Sequence, residues 1–168
     1  GDSRNVTLLF SDVRNFSMLT DRMPPKEIVK LINIYLDLQA TIIEANLGVV
    51  DKFMGDQVMA IFEGKDQVDN AIKSAVEIQR AIGQLNEKRR KLGVTTLTVG
   101  IGVDVGSAVL GNMGSKNRMD YTLIGDVVNL AARLCGLAKP GQIIAPIEIA
   151  QKLHRSYSTR KLEPILVK

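Results

Sequence analysis

Two carboxylates and a lysine stand at addresses where chemistry is possible. Asp12 closes the apolar run Val6–Asp12, and Asp56 follows Gly55 in the middle of LGVVDKFMGDQVMAIF at 47–62. The second stretch reads as two short strands joined by a two-residue loop, in which glycine supplies the positive φ. Strand alternation puts Val50, Lys52 and Met54 on one face and Val49, Asp51 and Phe53 on the other. Asp56 then sits at the hairpin tip, and Lys52 is held on a rigid strand. Two hard oxygen donors suit Mg²⁺, which takes few protein carboxylates and completes its sphere with phosphate and water. Two ions on such a pair would activate an attacking oxygen and neutralise a leaving pyrophosphate. Between Val13 and Phe16 the chain turns out of the first strand, and the backbone N–H groups of such a turn, Asn15 and Phe16 included, can cradle phosphate. Asp126, Asn129 and Arg133 form a second polar set, spaced to share one side of a helix that begins at Gly125.

The elements that must position these groups follow from periodicity. Val6, Leu8 and Phe10 line one face of the first strand, and a short helical stretch runs to about Arg22. Pro24-Pro25 opens a longer helix with Ile28, Leu31, Tyr35, Leu38 and Ile42 as its apolar stripe. A third helix over Gln67–Lys91 buries Val68, Ala71, Ala75, Ile78, Ile82 and Leu85, and its closing Lys88-Arg89-Arg90-Lys91 run suits a helix C-terminus. Leu97, Val99, Ile101, Val103 and Val105 alternate as a strand. The GIGVDVG run there has the wrong spacing for a dinucleotide fingerprint, so its glycines let another backbone or a ligand come close. Ser107 to Met113 continues extended, and SKNRMDYTLIG is an excursion that returns to a strand at Tyr121–Ile124. The helix from Gly125 buries Val127, Leu130, Ala131 and Leu134. A turn at Pro140-Gly141, a strand over Gln142–Ala145, a helix over Ile147–His154 and a last strand over Leu162–Lys168 complete the order βαββαββαβαβ. This is an α+β, ferredoxin-like pattern: a mixed, mainly antiparallel sheet with helices packed against it, in which the first strand lies beside the hairpin.

Composition narrows the function classes. With 168 residues, 45% hydrophobic and 24% charged, the chain is a single globular domain, and its first residues, Gly1-Asp2-Ser3, lead us to expect a piece of a longer multidomain protein. The lone Cys135 allows no intrachain disulfide and fits a reducing, cytoplasmic setting. There is no run of about 18 apolar residues, so any membrane segment would belong to a longer protein. Aromatics make only 4%, and no strand carries the stacking platform that single-stranded RNA readers need, so nucleic acid is not an expected partner. The single His154 is expected at the surface, and neither a zinc Cys pair, a GxSxG elbow nor a Walker lysine is present.

FSDVRNFS at 10–17, VDKFMGD at 50–56 and YTLIGDVVNLAAR at 121–133 together resemble the motif set of the class III nucleotide cyclases, in order and spacing, across essentially the whole chain. The related diguanylate cyclases share a two-carboxylate site, but their GGDEF loop is missing: the hairpin here reads MGDQV. The resemblance implies that Asp12 and Asp56 bind two divalent cations (Mg²⁺ or Mn²⁺), with the Val13 carbonyl as an extra ligand. It implies that Lys52 reads the purine with Thr122 as partner, that Asn129 orients the ribose and that Arg133 stabilises charge at the α-phosphate. Lys168 matches a lysine for the terminal phosphates. Asn15 departs from a common glycine, and asparagine tolerates left-handed backbone. Thr122 departs from the aspartate of many animal adenylate cyclases; the lysine-threonine pair resembles bacterial and soluble-type adenylate cyclases. A lysine can donate to adenine N1 and a threonine hydroxyl can accept from the exocyclic amine, although the hydroxyl can also donate, so guanine is excluded less strictly than by a carboxylate. The implied activity is ATP to 3′,5′-cyclic AMP and pyrophosphate, at two equivalent sites shared across a homodimer. The alternatives are a non-catalytic nucleotide-binding or dimerisation module and a cyclase of relaxed purine specificity.

Overall fold

The structure, a computed structural model, describes residues 2–162. Residues 163–168 lie outside it, and with them Lys168 and nearly all of the expected last strand. Its elements are β1 (Ser3–Val13), α1 (Phe16–Thr20), α2 (Pro25–Ala45), β2 (Val49–Met54), β3 (Gln57–Phe62), α3 (Gln67–Lys91), β4 (Val99–Ser115), β5 (Arg118–Ile124), α4 (Asp126–Leu137), β6 (Ile143–Ile144) and α5 (Glu148–Lys152). The strands form one sheet in the order β2-β3-β1-β4-β5, with β6 paired to β4. Among the described residues only the β6 pairing is parallel. The expected α+β architecture, a mainly antiparallel sheet with the first strand beside the hairpin, is what the chain adopts.

Strand β1 is central and buried on both faces, as its nearly continuous apolar run requires. Leu9 and Val13 pack with residues of α2, α3 and β3. Val6, Leu8 and Phe10 pack on the other side with Val127, Ala131 and Cys135 of α4. The α2–α3 layer is locked by a buried polar knot. Tyr35 Oη donates to Asn86 Oδ1 and accepts from Leu97 N at 3.0 Å, while Asn86 Nδ2 donates to Leu97 O at 2.7 Å. Each buried polar group there has its partner, so truncating any one would strand the others.

Helix α4 lies directly on the sheet. A Cβ at Gly102 would fall 2.3 Å from Cys135 N and 2.5 Å from Ala131 O, so the helix backbone occupies the space a side chain would fill. The glycines of GIGVDVG therefore admit a helix rather than a ligand. Cys135, absent from the expected stripe, is fully buried, whereas Leu130 is only half-buried.

Four expectations need correction. The 115–125 segment is no excursion: β4 runs on to Ser115, which pairs with Arg118, so β4 and β5 form a hairpin turning at Lys116-Asn117. The fifth helix is confined to Glu148–Lys152 and the sixth strand to Ile143–Ile144. Val50 and Lys52 do not share a face. The β2–β3 register shifts between them, Val50 facing Ala60 and Lys52 facing Met59. A bulge at Asp51 inserts one residue and turns Lys52 to the opposite side of the sheet.

Candidate active site

Register brings the two carboxylates together. Ser11 pairs with Val58, so Asp12, one residue further along β1, comes up beside the hairpin tip, where its carboxyl meets that of Asp56. The tip is the expected two-residue loop, closed by the Met54–Gln57 pair, with Gly55 at φ 64. Positive φ at the first loop position alone is the pattern of a type II′ turn, which explains a glycine there and leaves Asp56 unstrained. Asp12 is raised from 3.8 to about 7, first by burial, then by a side-chain hydrogen bond with Asp56 and by the charge of Asp56. Arg14 and the backbone N–H of Val13 oppose the rise. Two carboxylates that close hold either a shared proton or a cation. A divalent ion is the hard, oxygen-preferring partner that such a pair fits. Among the described residues no third acidic, histidine or cysteine side chain joins them.

The turn after β1 adopts the conformation expected of it. Asn15 has φ 60 and ψ 35, left-handed, and precedes α1. Phe16, the first residue of α1, packs its partly buried ring against the core. Sequence reasoning passed over Arg14. Its guanidinium lies 3.5 Å from Asp12 Oδ2 and donates to carbonyls at the end of α4, the shortest bond being 2.9 Å to Ala138 O. A cation two residues from a site carboxylate was the available signal; the helix end it reaches is 124 residues away in sequence.

Lys52 and Thr122 meet: Nζ donates to Oγ1 at 3.4 Å. Asp51 Oδ2 is 3.6 Å from the same ammonium and is buried without a hydrogen-bond partner among the described residues. Lys52 thus stands between a hydroxyl and a carboxylate, which fixes its direction.

Asn129 and Arg133 lie on the exposed side of α4, opposite Val127, Ala131 and Leu134. No hydrogen bond or ion pair among the described residues joins them to Asp12 or Asp56. The inner side of the helix nevertheless comes close to Asp12, since Arg14 touches both Asp12 Oδ2 and Cys135 O, and burial and then the charge of Asp12 push the Cys135 thiol up to about 12. That thiol, bonded to Gly100 O at 3.4 Å, is inert. His154 is at the surface as expected, its Nδ1 3.1 Å from Asp69 Oδ2.

Comparison with known proteins gives this arrangement a setting. The family model of the adenylate and guanylate cyclase catalytic domain matches residues 1–168. An adenylate cyclase of Anabaena cylindrica is 37% identical over 141 residues, which are 82% of this chain and 28% of that protein. The chain thus spans less than a third of that relative's length. The guanylyl cyclase Cya2 superposes with a TM-score of 0.87 at 33% identity, over 100% of this chain and 89% of that one. The adenylyl cyclase CyaB from P. aeruginosa gives a TM-score of 0.82 at 31% identity, over 90% and 81%. With the fold, the paired carboxylates and the whole-length match in agreement, the chain belongs to the adenylate and guanylate cyclase catalytic domain family.

Proposed function

We propose that the chain is the catalytic domain of an adenylate cyclase, part of a longer protein, that converts ATP to 3′,5′-cyclic AMP and pyrophosphate in the cytoplasm as a homodimer. The observation that carries the purine assignment is the Lys52–Thr122 contact of 3.4 Å, made within one chain. Lys52 donates to adenine N1, and the Thr122 hydroxyl accepts from the exocyclic amine.

Asp12 and Asp56, with the Val13 carbonyl, hold two divalent ions, which when bound supply Lewis acidity at the α-phosphate and charge neutralisation for pyrophosphate. The backbone of the turn at Asn15 and Phe16 receives phosphate oxygens. Asn129 holds the ribose so that its 3′-oxygen faces the α-phosphorus, and Arg133 places its guanidinium where negative charge grows as the bond to pyrophosphate breaks. Lys168, outside the described residues, is assigned to the terminal phosphates by the resemblance alone. The exposure of Asn129 and Arg133 supports a site closed by a second copy. The carboxylates of one chain face the Asn129/Arg133 side of the other, giving two equivalent sites.

A reading as guanylate cyclase is favoured by the likeness to Cya2, and Thr122 can donate as well as accept. Purified protein incubated with ATP or GTP and Mn²⁺, with both cyclic products quantified, decides between them. Cyclic AMP should dominate; dominance of cyclic GMP would replace this reading.

A further inference from the structure

The Arg14 guanidinium joins two parts of the chain that the proposed mechanism assigns to different active sites. Nη2 lies 3.5 Å from Asp12 Oδ2. Nη1 donates to Ala138 O at 2.9 Å, Cys135 O at 3.2 Å and Gly136 O at 3.4 Å. These carbonyls close α4 at the negative end of its dipole, and of the three Cys135 O also accepts from Ala138 N at 3.2 Å. The side chain is only 15% exposed, and Nε is buried without an acceptor among the described residues. The fold makes room for it: a Cβ on Gly100 would lie 3.2 Å from Arg14 Cζ and 2.9 Å from Ala138 O.

A helix cap needs only the carbonyls, and a counter-ion for Asp12 needs only the carboxylate. Arg14 serves both with one planar fork, which a lysine cannot do. We propose that Arg14 is a positioning residue that acts on both active sites of the dimer. At its own end it orients the Asp12 carboxylate of one site. Through the C-terminus of α4 it fixes Asn129 and Arg133, which serve the other. The proposal rests on the shared-site reading above. Arg133 is one helical turn from the clamped end, and a displacement of about 1 Å at a reacting group can cost on the order of a hundredfold in rate.

Mixed dimers test this. Asp12→Ala and Arg133→Ala chains should each be nearly inactive alone. After subunit exchange, heterodimers contain one site built from the intact carboxylates of the Arg133→Ala chain and the intact α4 of the Asp12→Ala chain, so roughly a quarter of parental activity returns. Adding Arg14→Ala to the Arg133→Ala chain places the lesion beside the live carboxylates. Adding it to the Asp12→Ala chain places it at the end of the live α4. Each addition should lower the rescued kcat per folded heterodimer about tenfold or more, with KM for ATP within a few-fold, and Arg14→Lys should fall between. Should Arg14→Ala not fold, Arg14→Lys in each arm carries the same comparison. Loss in one arm only, loss in neither, or loss that tracks the folded fraction would overturn the proposal. Failure of the parent pair to complement while labelled subunits exchange would instead remove the shared site, and this proposal with it.

Discussion

Lys52 Nζ donates to Thr122 Oγ1 at 3.4 Å although β2 and β5 are the two ends of the strand order β2-β3-β1-β4-β5. Four strand spacings in a flat sheet would separate them by about 19 Å. The contact therefore requires the sheet to curl until its edge strands approach, in the sense of the right-handed strand twist. The Asp51 bulge then aims the lysine toward the gap. The Lys52–Thr122 pair is thus a product of sheet curvature, with neither residue able to find the other through local structure.

The proposed reading of adenine by this pair is tested by exchanging its hydrogen-bonding pattern. Lys52→Glu with Thr122→Cys replaces a donor to N1 by an acceptor and removes the threonine hydroxyl. We expect ATP use to fall and the ratio of kcat/KM for ATP over GTP to drop by at least about tenfold, the size of one lost hydrogen bond to a charged group. An unchanged ratio would mean that the base is read elsewhere.

Asp12 predicts a pH dependence with a defined sign. Its carboxyl is raised from 3.8 to about 7, so without metal its contribution to stability is full below pH 3.8 and is lost as pH rises through 7. The metal-free protein should melt at lower temperature at pH 8 than at pH 5, and Asp12→Asn should flatten that trend. Mn²⁺ must displace the proton, so its affinity should rise with pH until about 7 and then level. Thermal unfolding against pH, with and without Mn²⁺, checks both directions; a metal effect equal at pH 5 and pH 8 would remove the proton from the site.

Gly102 predicts what holds α4 in place. Gly102→Ala would put a methyl 2.3 Å from Cys135 N, against backbone that cannot rotate away. The helix must shift, costing about 1–3 kcal/mol, the usual range for overpacking. Urea unfolding should show that loss, and activity should fall further than the folded fraction does. A variant as stable as the parent would mean that α4 is not seated on β4 as described.

Much of this was legible in the sequence because it is local. The Gly55-Asp56 loop and the helix stripes from Ile28 to Tyr35 and from Val68 to Ile82 follow from periodicity and turn chemistry, and the left-handed Asn15 from the family resemblance, whose pattern often has glycine there. The Asp51 bulge was hidden, since the extra residue exists only relative to β3. The β4–β5 hairpin was hidden for a different reason. Its turn is Lys116-Asn117 without the usual Asn-Gly or Asp-Gly, and Arg118 and Asp120 break the apolar pattern of β5. Arg14 reads as one more basic residue until the end of α4 arrives beside it.

Asp12 and Asp56 are together the proposed metal-holding centre of a cyclase. Asp12→Asn and Asp56→Asn each keep the shape of the site and remove one anionic ligand. Each loses several kcal/mol of Lewis-acid stabilisation, so cyclic AMP formation with saturating Mn²⁺ should fall by more than about a hundredfold. Circular dichroism and the melting profile should remain those of a folded domain. Cyclase activity of either folded variant within a few-fold of the parent would contradict the account.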